Sequence, residues 1–164
     1  SEPAPRSRPR PPHNPLDSAA AACDAAVMYL ALIPDEQTTE ALRAFAPALP
    51  SDAHCTIIHS KAQLPTGLPL PDYRKINGSY VCAAPQSVET FGSKHKVRVL
   101  KLAMNVELQY LRAYAEQILT EQRHSIPWSK EWAFSPHVTL GGAGAQLADE
   151  PPALLRFDRM EWRP

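Results

Sequence analysis

Cysteine is scarce in this chain of 164 residues: it has three, Cys23, Cys55 and Cys82. An odd number without C-x-x-C spacing argues against a disulfide framework and a zinc ribbon, and leaves the thiols as packing residues. Net charge is lacking as well, since 17 basic side chains balance 17 acidic ones. No overall basic field exists to hold a long nucleic-acid duplex, which is set aside as a partner. Long apolar runs are also missing. The longest, from Ala25 to Ile33, falls far below the roughly 20 residues that span a bilayer. No charged head, hydrophobic stretch and cleavage site follow one another at the start. The expectation is a soluble cytoplasmic protein with no membrane partner.

Proline, by contrast, is abundant, with 18 residues. Ser1 to Asp17 reads SEPAPRSRPRPPHNPLD, rich in Pro and Arg with almost nothing to bury, as linkers are. Residues 1–22 are assigned as a Pro/Arg-rich linker and 23–164 as one domain, long enough to bury a core. A first residue of Ser rather than Met suggests a domain cut from a longer chain.

The domain reads as two stretches of the same order. AAVMYLALIP predicts a buried strand, after which Asp35 caps a helix in EQTTEALRAFA that Pro47 and Pro50 end. The β-branched AHCTIIHS then predicts a strand with His54, Thr56 and Ile58 on one face and Cys55, Ile57 and His59 on the other. A Pro- and Gly-rich loop follows from Ala62 to Asp72, ahead of strands at 79–83 and 87–91. The second stretch opens on the strand KVRVLKLAM. Asn105 caps VELQYLRAYAEQILTEQ, with an apolar stripe of Leu108, Leu111, Ala115 and Ile118. The strand FSPHVTL follows, and residues 154–162 make a last strand. Strand, helix and strand thus occur twice, as in an internal duplication.

Each stretch ends on H-x-T: His54-Cys55-Thr56 and His137-Val138-Thr139. In a strand each His and the Thr two residues on share a face. With six histidines, two such motifs arise by chance on the order of a few per cent of the time. Imidazole titrates near pH ~6.5, so a pair can act as base and acid at neutral pH. Two hydroxyls beside them can donate hydrogen bonds to oxygens on which charge builds. No H-x-H, H-x-x-E-H or D-x-D cluster is present, so no metal and no other cofactor is expected. His59, pointing away from His54, reads as a residue that supports the site from behind or packs. His13, His95 and His124 lie in linker or loop contexts.

HCTI at 54–57 and HVTL at 137–140 resemble the paired H-x-[ST]-hydrophobic motifs of the 2H phosphoesterase superfamily, and the similarity spans about residues 25–162. Within it, MYLALIP, HCTIIHSK, the Pro-rich loop and FSPHVTL look most like phage enzymes that degrade cyclic oligonucleotide alarm signals, the anti-CBASS phosphodiesterases. The resemblance implies an α/β (α+β) bilobed fold, two antiparallel sheets with flanking helices and pseudo-twofold symmetry. It also implies metal-free attack on a phosphodiester, in the host cytoplasm if the protein is phage-encoded. His54, Thr56, His137 and Thr139 would be catalytic. Tyr29, Glu161 and Trp162 would bind substrate, matching a strand Tyr and a C-terminal acidic residue and Trp in those enzymes, although Glu161 and Trp162 are adjacent here. Trp128 or Trp132 is an alternative base-stacking residue, and Lys61 and Lys101 are candidate phosphate contacts. The implied ligand is a cyclic di- or trinucleotide. An RNA end carrying a 2',3'-cyclic phosphate or 2',5' linkage is the second reading, and a nucleotide-binding or virion-associated module without chemistry is the third.

Overall fold

In the computed structural model, residues 28–72, 78–130 and 133–164 are described. The linker assignment at 1–22, Cys23, His13 and Trp132 lie outside them. The elements are β1 (Tyr29–Pro34), α1 (Glu36–Phe45), β2 (Cys55–His59), β3 (Val81–Ala83), β4 (Pro85–Phe91), β5 (Val97–Leu102), α2 (Val106–Thr120), β6 (His137–Gly142) and β7 (Leu155–Arg163). The class is α+β. Among the described residues no helix is long and apolar enough to cross a membrane.

Both helix starts follow from their caps. The Asp35 carboxylate accepts from the Thr38 N–H at 2.7 Å, and the Asn105 side chain accepts from the Leu108 N–H at 2.9 Å, each satisfying an amide that the first turn leaves open. The buried stripe of α2 is Leu108, Leu111, Ala115 and Leu119. Leu119 takes the place expected for Ile118, because a step of four from Ala115 stays over the sheet while a step of three drifts to its edge.

Instead of two separate sheets there is one seven-stranded antiparallel sheet, in the order β3-β7-β1-β2-β6-β5-β4. Its centre explains why two were expected. β2 and β6 are joined through a single residue pair, Cys55 with Val138, whereas β1 is zipped to β7 from Tyr29 to Pro34. One pair suffices to make the backbone continuous between β3-β7-β1-β2 and β6-β5-β4.

The main core lies on one face, where Leu30, Leu32, Cys55, Ile57, Ile58, Val138, Leu140 and Phe157 meet Leu42 and Phe45 of α1 and Leu108, Leu111 and Leu119 of α2. Tyr29, Ala31 and Ile33 form a separate buried cluster, as the alternation of β1 requires. Both described helices therefore cover the first face, and the second is left to the side chains that alternate with the core.

Two irregularities decide what reaches that second face. On β2, Leu30 pairs with Ile58 but Ala31 pairs with Thr56, so Ile57 is an extra residue with no partner on β1. Ile57 and Ile58 are both buried in the core although adjacent, which a regular strand does not allow. On β7, Ile33 pairs with Arg159 but Pro34 pairs with Phe157, making Asp158 the extra residue. Parity changes there too: Leu155 and Phe157 are core before the bulge, and Met160 is core after it.

Candidate active site

Cys55 and Val138 face each other on the core side of the central seam, both fully buried. The positions one step to either side then oppose each other on the other face: His54 against Thr139, and Thr56 against His137. Two strands thus present two imidazoles and two hydroxyls as a compact diagonal square. All four side chains are half-buried. Cys55, beneath them, is no nucleophile: burial pushes its thiol up to about 12, against a hydrogen bond from the His137 backbone.

Both imidazoles are held by the same local device. His54 Nδ1 lies 2.8 Å from the carbonyl oxygen of Asp52, and His137 Nδ1 lies 2.8 Å from that of Ser135. A carbonyl only accepts, so each Nδ1 carries the proton and each neutral ring keeps its lone pair on Nε2. Arg163 Nη1 donates to the same Asp52 oxygen at 3.0 Å. Its 3.4 Å approach to His54 Nδ1 is contact between two donors that share one acceptor. Burial lowers both histidines below the ordinary imidazole range. The carbonyl bonds work the other way, and Arg163 at His54 and the charge of His54 at His137 deepen the shift. Burial thus favours the neutral form of both rings near pH ~7.

Aromatic rings buttress each imidazole. Tyr29 stacks on His54 with centroids 4.9 Å apart, and the Phe91 edge meets His137 at 4.9 Å. The Tyr29 hydroxyl also accepts from Arg163, which faces Tyr29 across β1 and β7. Glu161, facing Ala31, holds the same guanidinium at 2.7 Å. Lys101 lies beside His137 on β5 and pairs with Glu89 at 3.6 Å. Among the described residues, Arg163 beside His54 and Lys101 beside His137 therefore each have a carboxylate neighbour.

Of the residues singled out in the sequence, His54, Thr56, His137, Thr139, Tyr29, Lys101 and Glu161 fall on this face. Trp162 does not. It pairs with Leu30, packs against the main core and donates its indole N–H to the Pro69 carbonyl at 2.9 Å. Neighbours on a strand point oppositely, so Glu161 and Trp162 cannot both face one ligand. Trp128 packs on the main core with the Lys130 ammonium 4.4 Å over its ring. Lys61, His95 and His124 are exposed.

His59 departs from expectation. The bulge at Ile57 turns it onto the face of His54 and Thr56, opposite Tyr29, with the two rings 5.7 Å apart. Burial brings its imidazole down to about 4, helped by the charges of His54, His137 and Arg112. The signal was present in HCTIIHS: two adjacent Ile interrupt the alternation of a half-buried strand. Arg163 and Phe91 carry no such local signal: the register of β1 with β7 brings Arg163 to Tyr29 and His54, and a ring contact brings Phe91 to His137. Among the described residues no group of three or more His, Cys, Asp or Glu is arranged to hold a metal ion.

No family model matches the chain and no curated protein matches it. Among solved structures, the protein TT0787 of Thermus thermophilus is similar at 21% identity and a TM-score of 0.41, over 83% of each chain.

Proposed function

We propose that the protein is a metal-independent phosphodiesterase of the 2H type, with His54 and His137 as the proton-moving pair. The observation that carries this reading is the diagonal square of His54, Thr139, Thr56 and His137, with both Nδ1 atoms fixed by backbone carbonyls. Two lone-pair nitrogens are then presented on one face of the central seam. The strand order β1-β2-β6-β5 supports reading the domain as two related lobes with a pseudo-twofold between the motifs.

In the proposed reaction a ribose 2'-oxygen attacks phosphorus and gives its proton to one Nε2. The P–O5' bond breaks in line, and the leaving oxygen takes a proton from the other Nε2, already charged. The product is a 2',3'-cyclic phosphate, which water opens with the two roles exchanged. Because burial favours the neutral form of both rings, the acid acquires its proton as the anionic diester binds and favours the charged form. Thr56 and Thr139 donate to the non-bridging oxygens, where charge increases.

The substrate we propose is a cyclic di- or trinucleotide cleaved at a 3',5' linkage, as in phage counter-defence against cyclic-nucleotide immune signalling. Lys101 and Arg163 are each paired with a carboxylate, an arrangement that favours a small ligand over a long RNA end. Incubation with cyclic dinucleotides in EDTA between pH 5 and 8 tests the reading. Linear product is expected from the native protein, with His54→Ala and His137→Ala each slower by about 10²–10⁴. Turnover only of 2',3'-cyclic or 2',5'-linked RNA ends would move the activity to that substrate. Binding without any turnover would make the domain a nucleotide-binding module.

A further inference from the structure

His59 is a third histidine on the face of the two motifs, and the motifs do not account for it. Its place is built rather than incidental. The extra residue Ile57 frees a backbone carbonyl from the ladder with β1, and Arg112 Nη1 donates to that oxygen at 2.9 Å. The same guanidinium is anchored to Glu116 at 2.9 Å. A buttressed bulge of this kind re-aims the next side chain, and here that side chain is His59, opposite Tyr29.

The two motif histidines each commit Nδ1 to a carbonyl. The His59 ring, half-buried, touches Tyr29, and among the described residues neither of its nitrogens forms a hydrogen bond. One donor and one acceptor therefore stay available on this face. A phosphate oxygen uses only a donor, whereas a sugar hydroxyl or the edge of a nucleobase uses both. With Ile57 bulged out, Thr56 and His59 stand opposite Ala31 and Tyr29, two positions apart on β1, or about 6–7 Å along the sheet. That places it beyond the phosphate, toward an attached nucleoside.

We propose that His59 contacts the nucleoside flanking the scissile phosphate, through a group that both donates and accepts a hydrogen bond. This rests on the phosphodiesterase reading. Its role is to select substrate rather than to move the reacting protons.

The test uses affinities of three linear probes: a ribo-diadenosine 3',5'-monophosphate, its deoxy counterpart and the ribo-dicytidine analogue. They are measured on His54→Ala protein, which suppresses cleavage, with and without His59→Phe, which keeps a ring against Tyr29 but has no polar atom. His54→Ala protein is expected to favour the ribo- over the deoxy-dinucleotide, or adenine over cytosine, by about three- to tenfold, the range of one neutral hydrogen bond. His59→Phe is expected to bring that ratio within twofold of unity. Loss of the ribo/deoxy ratio assigns the contact to a hydroxyl, and loss of the adenine/cytosine ratio assigns it to a base edge. His59→Gln, which retains a donor and an acceptor, is expected to restore part of the ratio, and His59→Leu substitutes if the Phe variant does not fold. Ratios unchanged by His59→Phe overturn the proposal while leaving the phosphodiesterase reading intact. If no probe binds the native protein or His54→Ala, the proposal for His59 fails, and the phosphodiesterase reading is decided separately by turnover of cyclic dinucleotides.

Discussion

Tyr29 stacks its ring on the imidazole of His54, with centroids 4.9 Å apart and planes 26° from parallel. The same tyrosine accepts a hydrogen bond from Arg163, and Arg163 donates to the Asp52 carbonyl that fixes His54 Nδ1. The orientation of one motif histidine is thus set by a residue near each end of the domain. Tyr29→Phe keeps the stacking and loses the hydroxyl, so turnover is expected to fall only a few-fold. Tyr29→Ala frees the His54 ring, and a loss approaching 10²-fold is expected, about what misplacing a reacting group by an ångström costs. Steady-state kinetics on the two variants check this, and equal losses would count against stacking as the positioning contact.

Thr56 and Thr139 occupy equivalent corners of the square, each opposite the histidine of the other motif. Valine at either position keeps the shape and removes the donor. Each substitution is expected to lower kcat by about 10²-fold with a small change in KM, as for a donor that matters most when charge accumulates. A rise in KM with kcat unchanged would reassign that hydroxyl to ground-state binding.

The acid limb of stability reports on His59. Its imidazole lies at about 4 in the folded protein against ~6.5 in an unfolded chain. As pH falls below ~6.5 the unfolded state takes the proton first. The stability associated with the neutral ring is therefore full above that pH, declines through the interval and is gone by about 4. The loss is at most about 3 kcal/mol, from 1.36 kcal/mol per pKa unit. His54 and His137, also lowered, add to the same slope. Melting temperatures from pH 7 to 4 are expected to fall less steeply for His59→Gln than for the native protein, and parallel curves would refute this.

Arg112 supports the bulge from the helix side. Replacing it with Met leaves the Ile57 carbonyl without its donor, at a cost of about 1–3 kcal/mol, or roughly 2–4 °C in Tm for each kcal/mol. Beyond this loss, the variant is expected to impair substrate discrimination as His59→Phe does, because the bulge sets the direction of His59. Thermal denaturation and the ribo/deoxy ratio, measured together, separate the two effects.

Much of this architecture is written locally. Asp35 and Asn105 announce their helices because a side-chain acceptor at the first turn is a short-range device. The H-x-T motifs announce their strands because alternation is short-range too. What stays hidden depends on register. Nothing within RMEWRP says that Glu161 and Arg163 turn toward the motifs while Trp162 turns to the core. That follows from the extra residue Asp158 on a strand paired with one more than a hundred residues earlier in the chain. His59 was misread for the same reason, since a strict period of two carries it to the wrong face once Ile57 is inserted. Likewise, whether β2 and β6 leave a gap between two sheets or join depends on the one pair formed by Cys55 and Val138.

That single pair makes the spacing of the four motif side chains a property of packing more than of backbone hydrogen bonding. A long ladder would lock the two motifs at a fixed separation, whereas one rung leaves their angle to whatever fills the space below it. Cys55 and Val138 are the shims in that space. Bulkier residues there would splay the histidines without touching the cleft, and smaller ones would let them close. The tolerance of the proposed chemistry would thus be machined from the buried side, where a change in one methyl group is expected to alter the alignment of atoms that it never meets.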